Sequence, residues 1–294
     1  AVQAVVIQGA GDRAFCAGGD VVALYNSGKE GSADWQDFFA SEYRMNAAIG
    51  AFPKPYIAFI DGVVMGGGVG VSVHGDFRIA TERTLFAMPE TGIGLIPDVG
   101  GGYFMPRLAG EVGMYLALTG QRLNGADCHA IGVATHYVES AQLPDVLAAL
   151  VEGGTVQSVL DGISQTPPAG DITAHIEEIN TCFGQDSLAG VLQALSEGND
   201  WCRSVGDKLS RLSPLSMALT FEQMRMGAEL DLQGALALEY RIVSHIKSGH
   251  DFYEGVRAQL IDKDRNPKWV PATLDDVDAA DVEAMSLKWA SHYG

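Results

Sequence analysis

The chain has 294 residues, 47% apolar and 19% charged, enough for one large domain with a sizeable core and too apolar for wholesale disorder. Lys and Arg number 19 against 37 Asp and Glu, a net charge of −18, which argues against a nucleic-acid partner or an anionic membrane surface. An anionic small molecule would need a local basic pocket. In chain order, Ala1 to Gln8 reads as a buried β-branched strand. The Gly-rich loop "GAGDRAFCAGGD" follows it. Asp20 is placed to cap a short helix, "DVVALYN", and Ser32 a longer one reaching about Ile49. "PYIAFIDG" is a second buried strand, followed by the triple glycine of "VVMGGGVGVSVHG" and an apolar helix. "FRIATE" and "TLFAMPE" are two more short strands. The recurring order of strand, glycine loop and helix predicts an α/β layered fold. From about Gly110 the pattern turns helical, with a linker signal around Pro167–Gly170, a nearly all-helical stretch from Ser187 to His250, and a last helix in the tail.

Several signals fail on their spacing. "GAGDRA" matches a dinucleotide-binding fingerprint but runs into Gly18 and Gly19 instead of opening a helix. "GVSVH" puts His74 where a nucleophile elbow needs glycine. "SGKE" puts Glu30 where a phosphate-binding loop needs Ser or Thr. No His pair has metal spacing, so no metal is expected, and His74, His129 and His136 read as structural. Cys16, Cys128, Cys182 and Cys202 fit neither a zinc nor a disulfide pattern, which points to a reducing compartment. No apolar run is long enough to span a bilayer, and no basic n-region or signal peptide is read at the start of this sequence. The chain opens directly on a strand, so an N-terminal piece is expected to be missing.

Other features point to chemistry. "FAMPETGIGLIPDVGGGYF" holds Glu90 and Asp98 eight positions apart in apolar, turn-rich sequence, where a surface loop would carry polar neighbours. Gly18-Gly19 and Gly66-Gly67-Gly68 each follow a strand. They read either as tight turns or as loops that aim backbone N–H groups at one oxyanion. Trp35, Phe38, Glu42, Met45 and Ile49 fall on one predicted helical face, which puts Glu42 inside an apolar stripe. A carboxylate there needs a partner, an Arg for instance, or a raised pKa.

"RAFCAGGD", "YIAFIDGVVMGGGVGVSVHGDFRIATE" and "FAMPETGIGLIPDVGGGYFMPRL" resemble, in that order, the crotonase (enoyl-CoA hydratase/isomerase) superfamily. The resemblance is strong from Ala1 to Val138, and "HDFYEGVRAQLIDKDRNPKWVPA" resembles its 3-hydroxyisobutyryl-CoA hydrolase branch. It implies a crotonase fold, a spiral of repeated ββα units, over residues 1–186, with a mainly helical region over 187–294. It implies that the N–H groups of Gly19 and Gly67 hold the thioester oxygen and that Glu90 is the catalytic base or nucleophile. Asp98 stands where the hydrolase branch carries Asp, and Glu42 matches a position lining the acyl pocket. Arg13 is the first candidate for the phosphates of coenzyme A and Lys54 the second; each also reads as a solvated surface charge. Hydratases carry a second catalytic Glu where this chain has Gly70, which disfavours the two-glutamate hydration route. The implied reaction is hydrolysis of a short branched 3-hydroxyacyl-CoA in valine breakdown. The alternatives are an enoyl-CoA hydratase or isomerase, or a non-catalytic CoA-binding scaffold. No cofactor is implied, since coenzyme A enters as part of the substrate. The expected location is the cytoplasm, or the mitochondrial matrix in a eukaryote. The oligomeric state stays open, homo-oligomers being frequent in the family.

Overall fold

The computed structural model describes residues 2–287. The strands are β1 (Val5–Gln8), β2 (Ala14–Cys16), β3 (Tyr56–Ile60), β4 (Val63–Met65), β5 (Phe77–Ala80), β6 (Leu85–Ala87), β7 (Leu123–Asn124) and β8 (His136–Tyr137). The helices of the first half are α1 (Val21–Glu30), α2 (Asp34–Gly50), α3 (Gly67–Val73), α4 (Gly101–Phe104), α5 (Val112–Thr119), α6 (Gly125–Ala130) and α7 (Leu143–Glu152). Those of the second half are α8 (Val156–Ile163), α9 (Ile176–Phe183), α10 (Leu188–Glu197), α11 (Asp200–Leu209), α12 (Pro214–Gly227), α13 (Leu232–Ile246), α14 (Asp251–Val256) and α15 (Ala279–Leu287). The expected tail helix is α15; its last residues lie outside the described ones. Two compact units form. One comprises residues up to Gly19, Met45–Met88 and Arg122–Ile176; the other comprises Asp20–Arg44, Pro89–Gln121 and residues from Glu177 on.

In the first unit the chain lays successive strands alternately into two sheets, ordered β1-β3-β5-β8 and β2-β4-β6-β7. The pairings are parallel except β6 with β7. This is the spiral of ββ turns expected from the sequence. The centre of the first sheet is β3, buried at every residue, which explains its unbroken apolar run. Ile57, Phe59 and Ile79 pack with Val146 of α7 and Leu160 of α8. β1 is shorter than expected and only partly buried, because it is an edge strand.

In the second unit α1 is capped as expected, Asp20 Oδ1 accepting the Ala23 N–H at 2.9 Å, and it ends on Gly31 at φ 69°. The Ser32 hydroxyl accepts the Asp34 N–H at 3.4 Å where α2 begins. The buried stripe of α2 corrects the expected one. It runs through Trp35, Phe39, Tyr43 and Asn46, whereas Met45 is 40% exposed and Phe38, Glu42 and Ile49 are half-buried. Adjacent Phe38 and Phe39 fit two frames, and the polar Tyr43 and Asn46 hid the correct one. Trp35 fixes the helix: its Nε1 donates to the Val243 carbonyl at 3.2 Å, and its ring meets Phe252 edge to face at 4.8 Å.

The tail folds on itself around Arg257, which pairs with Glu254, Asp262 and Asp264 at 2.7–2.8 Å. All four cysteines are free, with Cys182 and Cys202 Sγ atoms 3.7 Å apart. Among the described residues no helix is long and apolar enough to cross a membrane, and no group of His, Cys, Asp and Glu is arranged to hold a metal ion.

Candidate active site

The second unit gathers acids. Glu90 opens a 3-10 turn, Glu90–Ile93, directly after Pro89. Gly94 closes that turn at φ 72°, where a Cβ would sit 2.2 Å from the Asp251 backbone, so only glycine lets the turn lie against α14. Glu90 is 5% exposed, and its Oε2 has no hydrogen-bond partner. Burial holds its pKa well above the usual carboxylate range, and the charges of Asp98 and Glu42 add to that. Asp98 is also 5% exposed. Its Oδ2 accepts the hydroxyl of Tyr43 at 2.8 Å. Burial raises it to about 6 against the opposing pull of that bond. Tyr43 is held well above its ordinary pKa by burial and by Asp98, so it stays a donor. Glu42, one residue earlier on α2, is pushed to about 8 by burial and then by Asp98.

A fourth acid stands behind these. Glu239, on α13, is fully buried. Its Oε2 accepts the Gly100 N–H at 2.8 Å and its Oε1 accepts the Gly102 N–H at 2.9 Å. Burial raises it to about 8, opposed by the Gly100 bond and assisted by the charge of Asp98. Gln223 Nε2 donates to Glu239 Oε1 at 3.1 Å and to the Pro97 carbonyl at 2.7 Å. Among the described residues no ion pair involves any of these four acids, so the arginine partner considered for Glu42 is not there. Buried and with no cation beside them, these carboxyls hold protons at a pH where exposed ones are ionised.

The glycine loops belong to the first unit, at the ends of the paired strands β2 and β4. A Cβ on Gly18, at φ 107°, would stand 3.2 Å from the Met65 carbonyl and 3.6 Å from the Gly67 nitrogen. On Gly68 it would stand 2.1 Å from the Cys16 carbonyl. The two loops therefore pack backbone on backbone. Gly67 opens α3, so its N–H is among those a helix leaves without an internal partner. Gly19 is exposed and follows Gly18 directly. Of the two basic candidates, Arg13 is exposed, and Lys54 is exposed with its Nζ donating to the Val2 carbonyl at 2.5 Å.

Of this buried cluster, sequence reasoning singled out Glu42, Glu90 and Asp98 and passed over Tyr43, Gln223 and Glu239. Glu239 was detectable by the logic that singled out Glu42: it lies in an α13 stripe with Ala235, Ile242, Val243 and Ile246, all buried.

The enoyl-CoA hydratase/isomerase family model matches residues 1–286, and the chain belongs to that family. The 3-hydroxyisobutyryl-CoA hydrolase, mitochondrial, of Gallus gallus is 46% identical over 288 residues, covering 93% of this chain and 74% of that protein. The protein of the same name from Xenopus tropicalis is 48% identical over 284 residues, with the same coverage. Among solved structures, a carnitinyl-CoA dehydratase from Mycobacterium thermoresistibile superposes with a TM-score of 0.92 at 42% identity, over 99% of this chain and 84% of that one.

Proposed function

We propose that the chain is an acyl-CoA thioester hydrolase that converts 3-hydroxyisobutyryl-CoA and water to 3-hydroxyisobutyrate and coenzyme A, a step of valine catabolism. The likeness to hydrolases of that name supports the substrate. The observation that carries the chemistry is the buried, cation-free pair Glu90 and Asp98, with one Glu90 oxygen unpartnered.

In this reading Glu90 acts as a carboxylate that burial has made more basic. By one route it attacks the thioester carbon, the C–S bond breaks, the thiolate leaves with a proton, and water then opens the mixed anhydride. By the other it takes a proton from a water that attacks the same carbon. Hydroxylamine trapping of an acyl-enzyme separates the two. The N–H groups of Gly19 and Gly67 take the developing oxyanion; such a donor contributes about 2.7–4 kcal/mol to lowering a barrier. Tyr43 occupies Oδ2 of Asp98, which leaves Oδ1 for the 3-hydroxyl of the substrate. Glu42 lines the acyl pocket. Arg13, and less directly Lys54, meet the phosphates of coenzyme A.

The dehydratase likeness favours one second reading, addition or loss of water at an enoyl thioester. Gly70, buried within α3, has no side chain to serve as the second acid of that route. Ultraviolet loss of a conjugated enoyl thioester tests it.

The reading is tested by coenzyme A release, followed with a thiol-reactive dye, from 3-hydroxyisobutyryl-CoA, crotonyl-CoA and acetyl-CoA. Release from the hydroxyacyl substrate alone is expected. Glu90→Gln should lower kcat about 100- to 10,000-fold while coenzyme A still binds. Retained hydrolysis in that variant removes Glu90 from the chemistry.

The relatives carry "mitochondrial" in their names. The reaction is accordingly assigned to the matrix in a eukaryotic source and to the cytoplasm in a bacterial one.

A further inference from the structure

Between Pro97 and Gly102 the chain makes a turn that it would not adopt unaided. Val99, β-branched, sits at φ 52°, in the left-handed region that such side chains avoid. Two groups from other helices grip the turn. Gln223 of α12 donates to the carbonyl of Pro97, the residue before Asp98. Glu239 of α13 accepts the N–H groups of Gly100, two residues after Asp98, and of Gly102. The two grips are bonded to each other at 3.1 Å. Glu239 thus acts as a borrowed cap for α4, the short helix that Gly100 leads into and that has no side-chain cap of its own.

We infer that Glu239, seconded by Gln223, is a positioning residue for Asp98: by pinning the backbone on both sides of it, the pair fixes where the Asp98 carboxylate points. Two features of the geometry support this over a purely structural role. First, a β-branched residue held at positive φ is strain that surrounding contacts must impose, and such strain gathers at functional turns. Second, the grips bracket Asp98 and no other titratable residue of the turn. Tyr43 of α2 holds one carboxylate oxygen, so backbone and side chain are both constrained. Both carboxylate oxygens of Glu239 face N–H donors, so an amide in its place would turn one N–H donor against another.

This inference rests on the hydrolase reading, and the experiment separates the two. Glu239→Gln, Gln223→Met, Asp98→Asn and the double variant Glu239→Gln/Asp98→Asn are compared with the unchanged protein in the coenzyme A release assay. Circular dichroism and coenzyme A binding report the fold. No release by the unchanged protein from any thioester would sink the hydrolase reading itself. With the unchanged protein active, Glu239→Gln is expected to lower kcat 10- to 100-fold with KM within threefold. In the Asp98→Asn background the same substitution should change kcat less than threefold, because there is no carboxylate left to aim. Equal losses with and without Asp98, or a lowered melting temperature with kcat intact, would overturn the inference. Should Glu239→Gln not fold, Gln223→Met decides. It removes one grip at nearly the same volume: a lowered kcat in a folded, coenzyme A-binding protein supports the inference, and an unchanged kcat overturns it.

Discussion

Asp98 takes its character from Tyr43. The 2.8 Å hydroxyl bond stabilises the ionised carboxylate and holds down a pKa that burial has raised to about 6. Tyr43→Phe removes that bond and little volume, so the pKa of Asp98 rises further. If the ionised form is the one that takes the substrate hydroxyl, the acidic limb of kcat/KM moves to higher pH. For a rise of about one pKa unit, activity should then fall about fivefold near pH 6, approach a loss of about tenfold at lower pH, and change little near pH 8. A pH–rate profile with an unmoved acidic limb would detach Tyr43 from the chemistry. Glu90 and Asp98 were legible in the sequence because dry surroundings make an acid conspicuous. Tyr43 was not, because a tyrosine on a helix reads as ordinary core until a carboxylate is seen at its hydroxyl.

At the scale of the element, the contact of α3 with β2 is set by a missing side chain. A Cβ on Gly68 would fall 2.1 Å from the Cys16 carbonyl, backbone against backbone, with nothing flexible to yield. Gly68→Ala should cost about 1–3 kcal/mol, seen as a lower urea midpoint, and should reduce turnover by moving the loop that carries Gly67. Gly162, inside α8, faces open space. Gly162→Ala should raise stability by about 0.5–1 kcal/mol with turnover unchanged. Equal effects at the two sites would refute the packing argument. The sequence marked β1, β3, β5, β6 and the longer helices, because β-branched runs, glycine breaks and caps are local signals, but it left β2 inside a Gly-rich loop and β4 inside the triple-glycine stretch. It passed over β7 and β8, two residues each, which exist only because neighbouring strands pair with them. It also misplaced the buried face of α2 by one residue, since an amphipathic stripe gives a direction only as sharp as its least ambiguous side chain.

For the molecule as a whole, buried acids link folding to protons. Glu42 and Glu239 have folded pKa values of about 8, and Asp98 of about 6, all above those of the unfolded chain. The folded state therefore binds more protons between about pH 4 and 8. Stability is fully present below the unfolded values and is lost as pH rises through the folded ones, at up to about 1.4 kcal/mol per pH unit for each proton. Melting temperature should fall from pH 5 to pH 8. Self-repulsion from the net charge of −18 acts in the same direction, but salt screens it. In high salt, Glu42→Gln should flatten the remaining slope; an identical slope in the variant would mean that Glu42 titrates normally.

The two compact units also set a schedule for synthesis. The boundary between them is crossed after Gly19, Arg44, Met88, Gln121 and Ile176, so each unit is assembled from three separate lengths of chain. β1 is made well before β8, the last strand of its sheet, which comes only at His136–Tyr137. Asp98 is likewise translated long before Glu239, which grips its turn from α13. At about 5–20 residues per second the nascent chain carries Asp98 for about 7–30 s without that support. A chain cut after Ile176 holds every segment of the first unit, whereas the second unit waits for the residues from Glu177 on.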